Sequence, residues 1–158
     1  MITLDCVSES PLWDHHPQME EIAERVLTHA SAHCGMKLLD GAEISLLLID
    51  DARMRTMNKE WREKDKPTNV LSFQSVPKER LASAPFLGDI VLACETVERE
   101  AVDEGKSFDD HAAHLVVHGF LHLLGHDHMN DEEAEVMEAL ETRILAGLGI
   151  ADPYADEV

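Results

Sequence analysis

The chain has 158 residues, 44% of them hydrophobic, and a formal net charge of −19. No apolar run approaches the roughly 18 residues of a membrane span, which excludes a helical membrane protein and predicts one soluble domain over residues 1–158. Residues 1–5 lack a basic region ahead of an apolar stretch, and Cys6, Cys34 and Cys94 form no C-x-x-C pair, so a cytoplasmic protein with reduced thiols is expected.

Residues 1–7 alternate loosely and read as a short strand. Asp14-His15-His16-Pro17 reads as a turn, with Pro17 suited to the first position of a helix. Ile22, Val26, Leu27 and Ala30 then recur at helical spacing over 19–34, and Gly35 ends the run. His15, His16, His29 and His33 fall in the turn or on the polar face and read as surface residues. Residues 42–49 form a strand with one partly polar side. Asp50 is placed to cap the next helix, where Met54, Met57 and Trp61 make an apolar stripe whose methionines read as core packing.

Pro67 closes that stretch, and 68–73 read as another strand. A loop around Pro77 and Pro85 leads to a strand over 87–93 and a helix over 96–104, stopped at Gly105. Ser107 with the acids behind it marks a helix start, and so does Asn130 with Glu133. The last helix carries Val136, Met137, Leu140, Ile144 and Leu145 as its stripe. From Ala151 the tail is short, acidic and expected to fray. Strands scattered among helices predict an α+β fold, or a closely related α/β one: a small mixed β-sheet, a central buried helix and surrounding helices.

The negative charge argues against nucleic acid until its distribution is read. Between Arg53 and Arg80 stand eight basic residues against four acidic ones, a local +4, whereas the remainder holds five against twenty-eight, or −23. Such a segment fits either a solvated helix face or contact with a polyanion; Arg53, Arg55, Lys59, Arg62, Lys64 and Lys66 are its candidate contacts.

The strongest local signal is His118-Gly-Phe-Leu-His122-Leu-Leu-Gly125-His-Asp127-His128. Two histidines four apart share one helix face, Gly125 is a natural helix stop, and the returning chain can bring His128 to the same point. This is the ligand spacing of the long zinc-protease motif with Gly119 in place of its glutamate. Three protein ligands and an open position suit a catalytic zinc. Leu115, Val116, Val117, Phe120, Leu121, Leu123 and Leu124 leave almost no polar face, so the helix is expected to be buried, and buried imidazoles need partners. With no glutamate, His114, one turn earlier, and Asp127 are the nearest candidate bases; orienting a ligand imidazole is the better reading of Asp127. His111 continues the same row.

These eleven residues resemble the signature of the YbeY family of endoribonucleases. The stretch from Met57 to Phe73 is similar to the family's second signature, and Leu87-Gly88-Asp89-Ile90 to its third, in the same order and spacing. Two departures stand out: Asn69 where the family has aspartate and Gln74 where it has proline. His126 stands where tyrosine is common. The resemblance implies a single α+β domain, one zinc per chain held by His118, His122 and His128, and a functional arginine at Arg62. It further implies a single-strand-specific endoribonuclease in ribosomal RNA processing, acting at the 3′ end of small-subunit rRNA and in ribosome quality control, with the small ribosomal subunit as partner. A zinc metallopeptidase-like hydrolase and a non-catalytic ribosome-biogenesis factor with a structural zinc are the alternatives.

Overall fold

In the computed structural model, which describes residues 2–127 and 130–154, four strands and five α-helices follow one another as β1 (Thr3–Ser8), α1 (Met19–His33), β2 (Glu43–Ile49), α2 (Asp51–Arg62), β3 (Val70–Gln74), β4 (Phe86–Ala93), α3 (Cys94–Asp103), α4 (Phe108–Leu123) and α5 (Asp131–Gly147). The sheet order is β1-β2-β4-β3, with β1, β2 and β4 parallel and β3 antiparallel to β4. The sheet is mixed and the fold is α+β, as the pattern of elements predicts. Among the described residues no helix is long and apolar enough to cross a membrane.

The central strands are apolar on both faces because both faces are covered. Ile44, Leu46, Leu48, Ile90 and Leu92 join the main core with α1, α4 and α5, while Leu47, Ile49, Val91 and Ala93 pack with Met54 and Met57 of α2 on the other face. The caps are those the sequence signals. Asp50 Oδ1 accepts from Arg53 N at 2.8 Å, Ser107 Oγ from Asp110 N at 3.1 Å, and Asn130 Oδ1 from Glu133 N at 2.9 Å.

Helix α4 packs against α1, α3, α5, β3 and β4. Its own sequence is a modest helix former, since Gly119 alone costs about 1 kcal/mol relative to alanine. Each fully buried large apolar side chain contributes roughly 1.5–3 kcal/mol, and Leu115, Val116, Val117, Phe120, Leu121 and Leu123 are all buried. Packing, not propensity, holds α4 in place.

Several expectations shift. Trp61, placed on the apolar stripe of α2, is 65% exposed, and Val136 of α5 is 56% exposed. The stretch read as a loop contains a short 3-10 segment, Lys78–Ser83, anchored by buried Leu81. Strand β3 begins two residues later than expected, at Val70, whose N donates to Asn69 Oδ1 at 2.7 Å. His16 is not a free surface residue: its ring stacks on Phe108 at 3.5 Å and its Nε2 lies 3.0 Å from Glu98 Oε2. Of the tail expected to fray, residues 155–158 lie outside the described residues, and within 151–154 the half-buried Tyr154 reaches back to α5.

Candidate metal centre

His118 and His122 lie one turn apart on α4, with their Nε2 atoms 3.0 Å from each other. Two nitrogens bound to one tetrahedral zinc at about 2.0–2.1 Å each stand about 3.3 Å apart, so these rings need to move only a few tenths of an ångström to share an ion. His128, the third expected ligand, lies outside the described residues.

The partner of His118 comes from a distant part of the chain. Glu141 of α5 has no exposed surface, and its Oε1 is 2.8 Å from His118 Nδ1. Its Oε2 accepts from Tyr154 OH at 2.8 Å and lies 2.8 Å from His114 Nε2. Burial alone would raise this carboxyl, but the hydrogen bonds it accepts from His114, His118 and Tyr154 outweigh it and hold it at about 2. A carboxylate on Nδ1 keeps the proton there and leaves the Nε2 lone pair for an ion, an arrangement common behind zinc-binding histidines. Sequence reasoning missed Glu141. The signal was present: it is an acid four residues after Met137 and three before Ile144, within an apolar stripe.

Around the β3 edge, the end of α2, the 63–69 connection and the end of α4 enclose a groove of about 800 Å³ that His118 and His122 line together with Arg62, Lys64, Lys66 and Asp127. Asp127 is its one carboxylate among the described residues. Arg62 Nη2 donates to Ser72 O at 2.9 Å, its guanidinium carbon lies 5.3 Å from the Phe73 ring centre, and among the described residues no carboxylate pairs with it. Buried Asn58 fixes the connection by donating to Lys66 O at 2.8 Å.

The other expected cations stand elsewhere. Arg55 is engaged by Asp65 at 2.7 and 3.2 Å, and the exposed Arg53 and Lys59 do not line the groove. His114 does not line it either, being tied to Glu141. His111 is buried, with Nε2 2.9 Å from Glu100 Oε1. Asn69 Nδ2 donates to that same oxygen at 2.9 Å. An aspartate there would set two carboxylates against each other, which gives the asparagine a physical reason. Gln74 Nε2 donates to Leu123 O at 3.4 Å. His126 borders the groove, and burial, then the charge of Lys78, lower its pKa and favour the neutral ring.

A second cluster lies outside the groove lining. His16, Cys94 and Glu98 bring one donor atom each within 4.8 Å of one another. They already satisfy each other: Cys94 Sγ donates to Glu98 Oε1 at 3.6 Å, and burial, then Glu98, push that thiol up to about 12.

The family model for the endoribonuclease YbeY matches residues 8–149. Proteins carrying that name in Rhizobium etli, Allorhizobium ampelinum and Bradyrhizobium diazoefficiens are 65%, 50% and 49% identical over 113, 155 and 160 residues. These matches cover 71%, 95% and 99% of this chain and 66%, 93% and 84% of the relatives. The solution structure of the Thermotoga maritima protein TM1509 is similar in fold, with a TM-score of 0.54 at 19% identity over 93% of this chain and 92% of that one. A histidine pair on a buried helix, two of the signature stretches lining one groove and agreement along most of the chain lead to one conclusion: this chain belongs to the endoribonuclease YbeY family.

Proposed function

We propose that this chain is a zinc-dependent endoribonuclease that cleaves single-stranded ribosomal RNA, matures the 3′ end of the small-subunit rRNA and serves ribosome quality control. Family membership supports a nuclease of rRNA processing. The observation that carries the rest is the pair of imidazole nitrogens 3.0 Å apart, opening on a groove that also holds Arg62, Lys64 and Lys66. His118 and His122, with His128, would hold the ion, and the donor set and spacing fit zinc. When bound, zinc supplies Lewis-acid activation of water and of a phosphoryl oxygen.

The remaining work belongs to the chain. Glu141 keeps the proton on Nδ1 of His118 and so fixes which nitrogen faces the ion. Arg62 grips a phosphate oxygen and stabilises charge developing on phosphorus. Lys64 and Lys66 draw the backbone of the RNA into the groove. Asp127 orients a ligand imidazole, while His114 acts through Glu141 rather than on the RNA. A peptidase would need a glutamate at Gly119, where even a Cβ would stand 3.1 Å from Ile90 Cγ2 and Ser72 Oγ.

The test combines plasma-emission metal analysis, circular dichroism and cleavage of a small-subunit rRNA precursor. Wild type should carry about one zinc per chain, and a folded His122→Ala protein should lose both metal and cleavage. Arg62→Ala should keep zinc and lose roughly a hundredfold in cleavage rate. Equal metal in wild type and His122→Ala, or full cleavage by a zinc-free protein, overturns the proposal.

A further inference from the structure

We infer that Trp61 is a stacking platform for an unpaired base of the RNA strand held in the groove, a reading that rests on the ribonuclease function proposed above. The two tryptophans of the chain have opposite fates. Trp13 is buried at 3% exposure and its indole N–H donates to Ile49 O at 2.9 Å. Trp61 is 65% exposed and is the one aromatic among the exposed large hydrophobic residues described.

The exposed ring is nonetheless held. It meets Phe73 edge to face at a centroid distance of 6.1 Å and an angle of 67°. Phe73 in turn carries the Arg62 guanidinium carbon 5.3 Å from its centre, and Arg62 is fixed by its bond to Ser72 O. Phe73 and Arg62 both line the groove, and Lys64 and Lys66 follow within five residues of Trp61. Cations that track phosphates, interleaved with an aromatic face that accepts any base, are the chemistry of single-strand binding. Paired bases hide their faces, so such a platform favours an unpaired strand over a duplex. The charge singles out the occupant: the segment is +4 on a chain of −19, which suits a polyanion better than another copy of this acidic protein.

The experiment measures binding of an end-labelled oligouridine, and of the same strand annealed to its complement, by fluorescence anisotropy, together with tryptophan emission. Wild type, Trp61→Phe and Trp61→Leu are compared, with Trp13 emission as the check on folding. Single strands should quench wild-type emission, and Trp61→Leu should bind them about tenfold more weakly, with Trp61→Phe close to wild type. Duplex binding and the salt dependence should stay unchanged. Wild-type affinity in a folded Trp61→Leu protein overturns this proposal alone. Failure of the wild type to bind RNA overturns it together with the function it rests on. Intact RNA binding with self-association lost from Trp61→Leu in sedimentation overturns it in favour of a second copy as the occupant.

Discussion

A carboxylate with no exposed surface is costly unless its oxygens are hydrogen-bonded, and those of Glu141 are met by His114, His118 and Tyr154. Glutamine is nearly isosteric, but its amide can present only one acceptor oxygen to these three groups. Glu141→Gln is therefore expected to weaken zinc binding about 10- to 100-fold, measured by competition with a chromophoric chelator. An unchanged zinc affinity would show that the carboxylate does not set the His118 ring. At this scale the sequence singled out the helix-face histidine pair and Arg62, because local spacing and a dense signature encode them. Glu141, Tyr154 and Asn58 stayed hidden, because what matters about them is a partner 8 to 27 residues away.

The end of α4 that carries His118 and His122 is pressed against the sheet, and two glycines mark the closest approaches. Beside Gly119, a Cβ would need neighbouring side chains to give way. At Gly88, with φ +145°, a Cβ would fall 2.3 Å from Phe73 O and 2.7 Å from Leu123 Cδ2. Gly88→Ala therefore meets both a backbone region that L-residues avoid and a backbone atom that cannot swing aside. A loss of about 2–4 kcal/mol is expected, which is roughly 4–16 °C in thermal midpoint for a chain of this size. A melt within about 1 °C of wild type by circular dichroism would refute that tight fit. Strands, helices and caps were largely legible because Asp50, Ser107 and Asn130 act within three residues of themselves. The fate of Trp61 was not: its spacing matches Met54, yet of the three stripe residues of α2 Met54 and Met57 pack in the core on that face of the sheet and Trp61 does not.

Over the whole molecule, the acidic body repels RNA and the groove has to overcome it locally. If Arg62, Lys64 and Lys66 each neutralise one phosphate, the logarithm of affinity for single-stranded RNA should fall with the logarithm of salt at a slope of about −2. Replacing Lys64 and Lys66 by alanine should flatten the slope to roughly −0.7, whereas Arg55→Ala should leave it alone because Arg55 already pairs with Asp65. A slope untouched by the double replacement would remove the lysines from the interface. Counting charges along the chain located this basic segment, but six candidate cations could not be ranked before their contacts were known.

The sequence by itself determined the α+β class, the capped helices, the histidine pair, the basic segment and the family, since each is written in spacing, composition or a contiguous signature. Only the tertiary structure decided that Glu141 and Tyr154 stand behind His118, that Arg55 is neutralised while Arg62 lines the groove, and that Trp61 faces solvent. Those outcomes depend on which elements meet across the sheet edge, and packing between segments far apart in the chain leaves no local period to read.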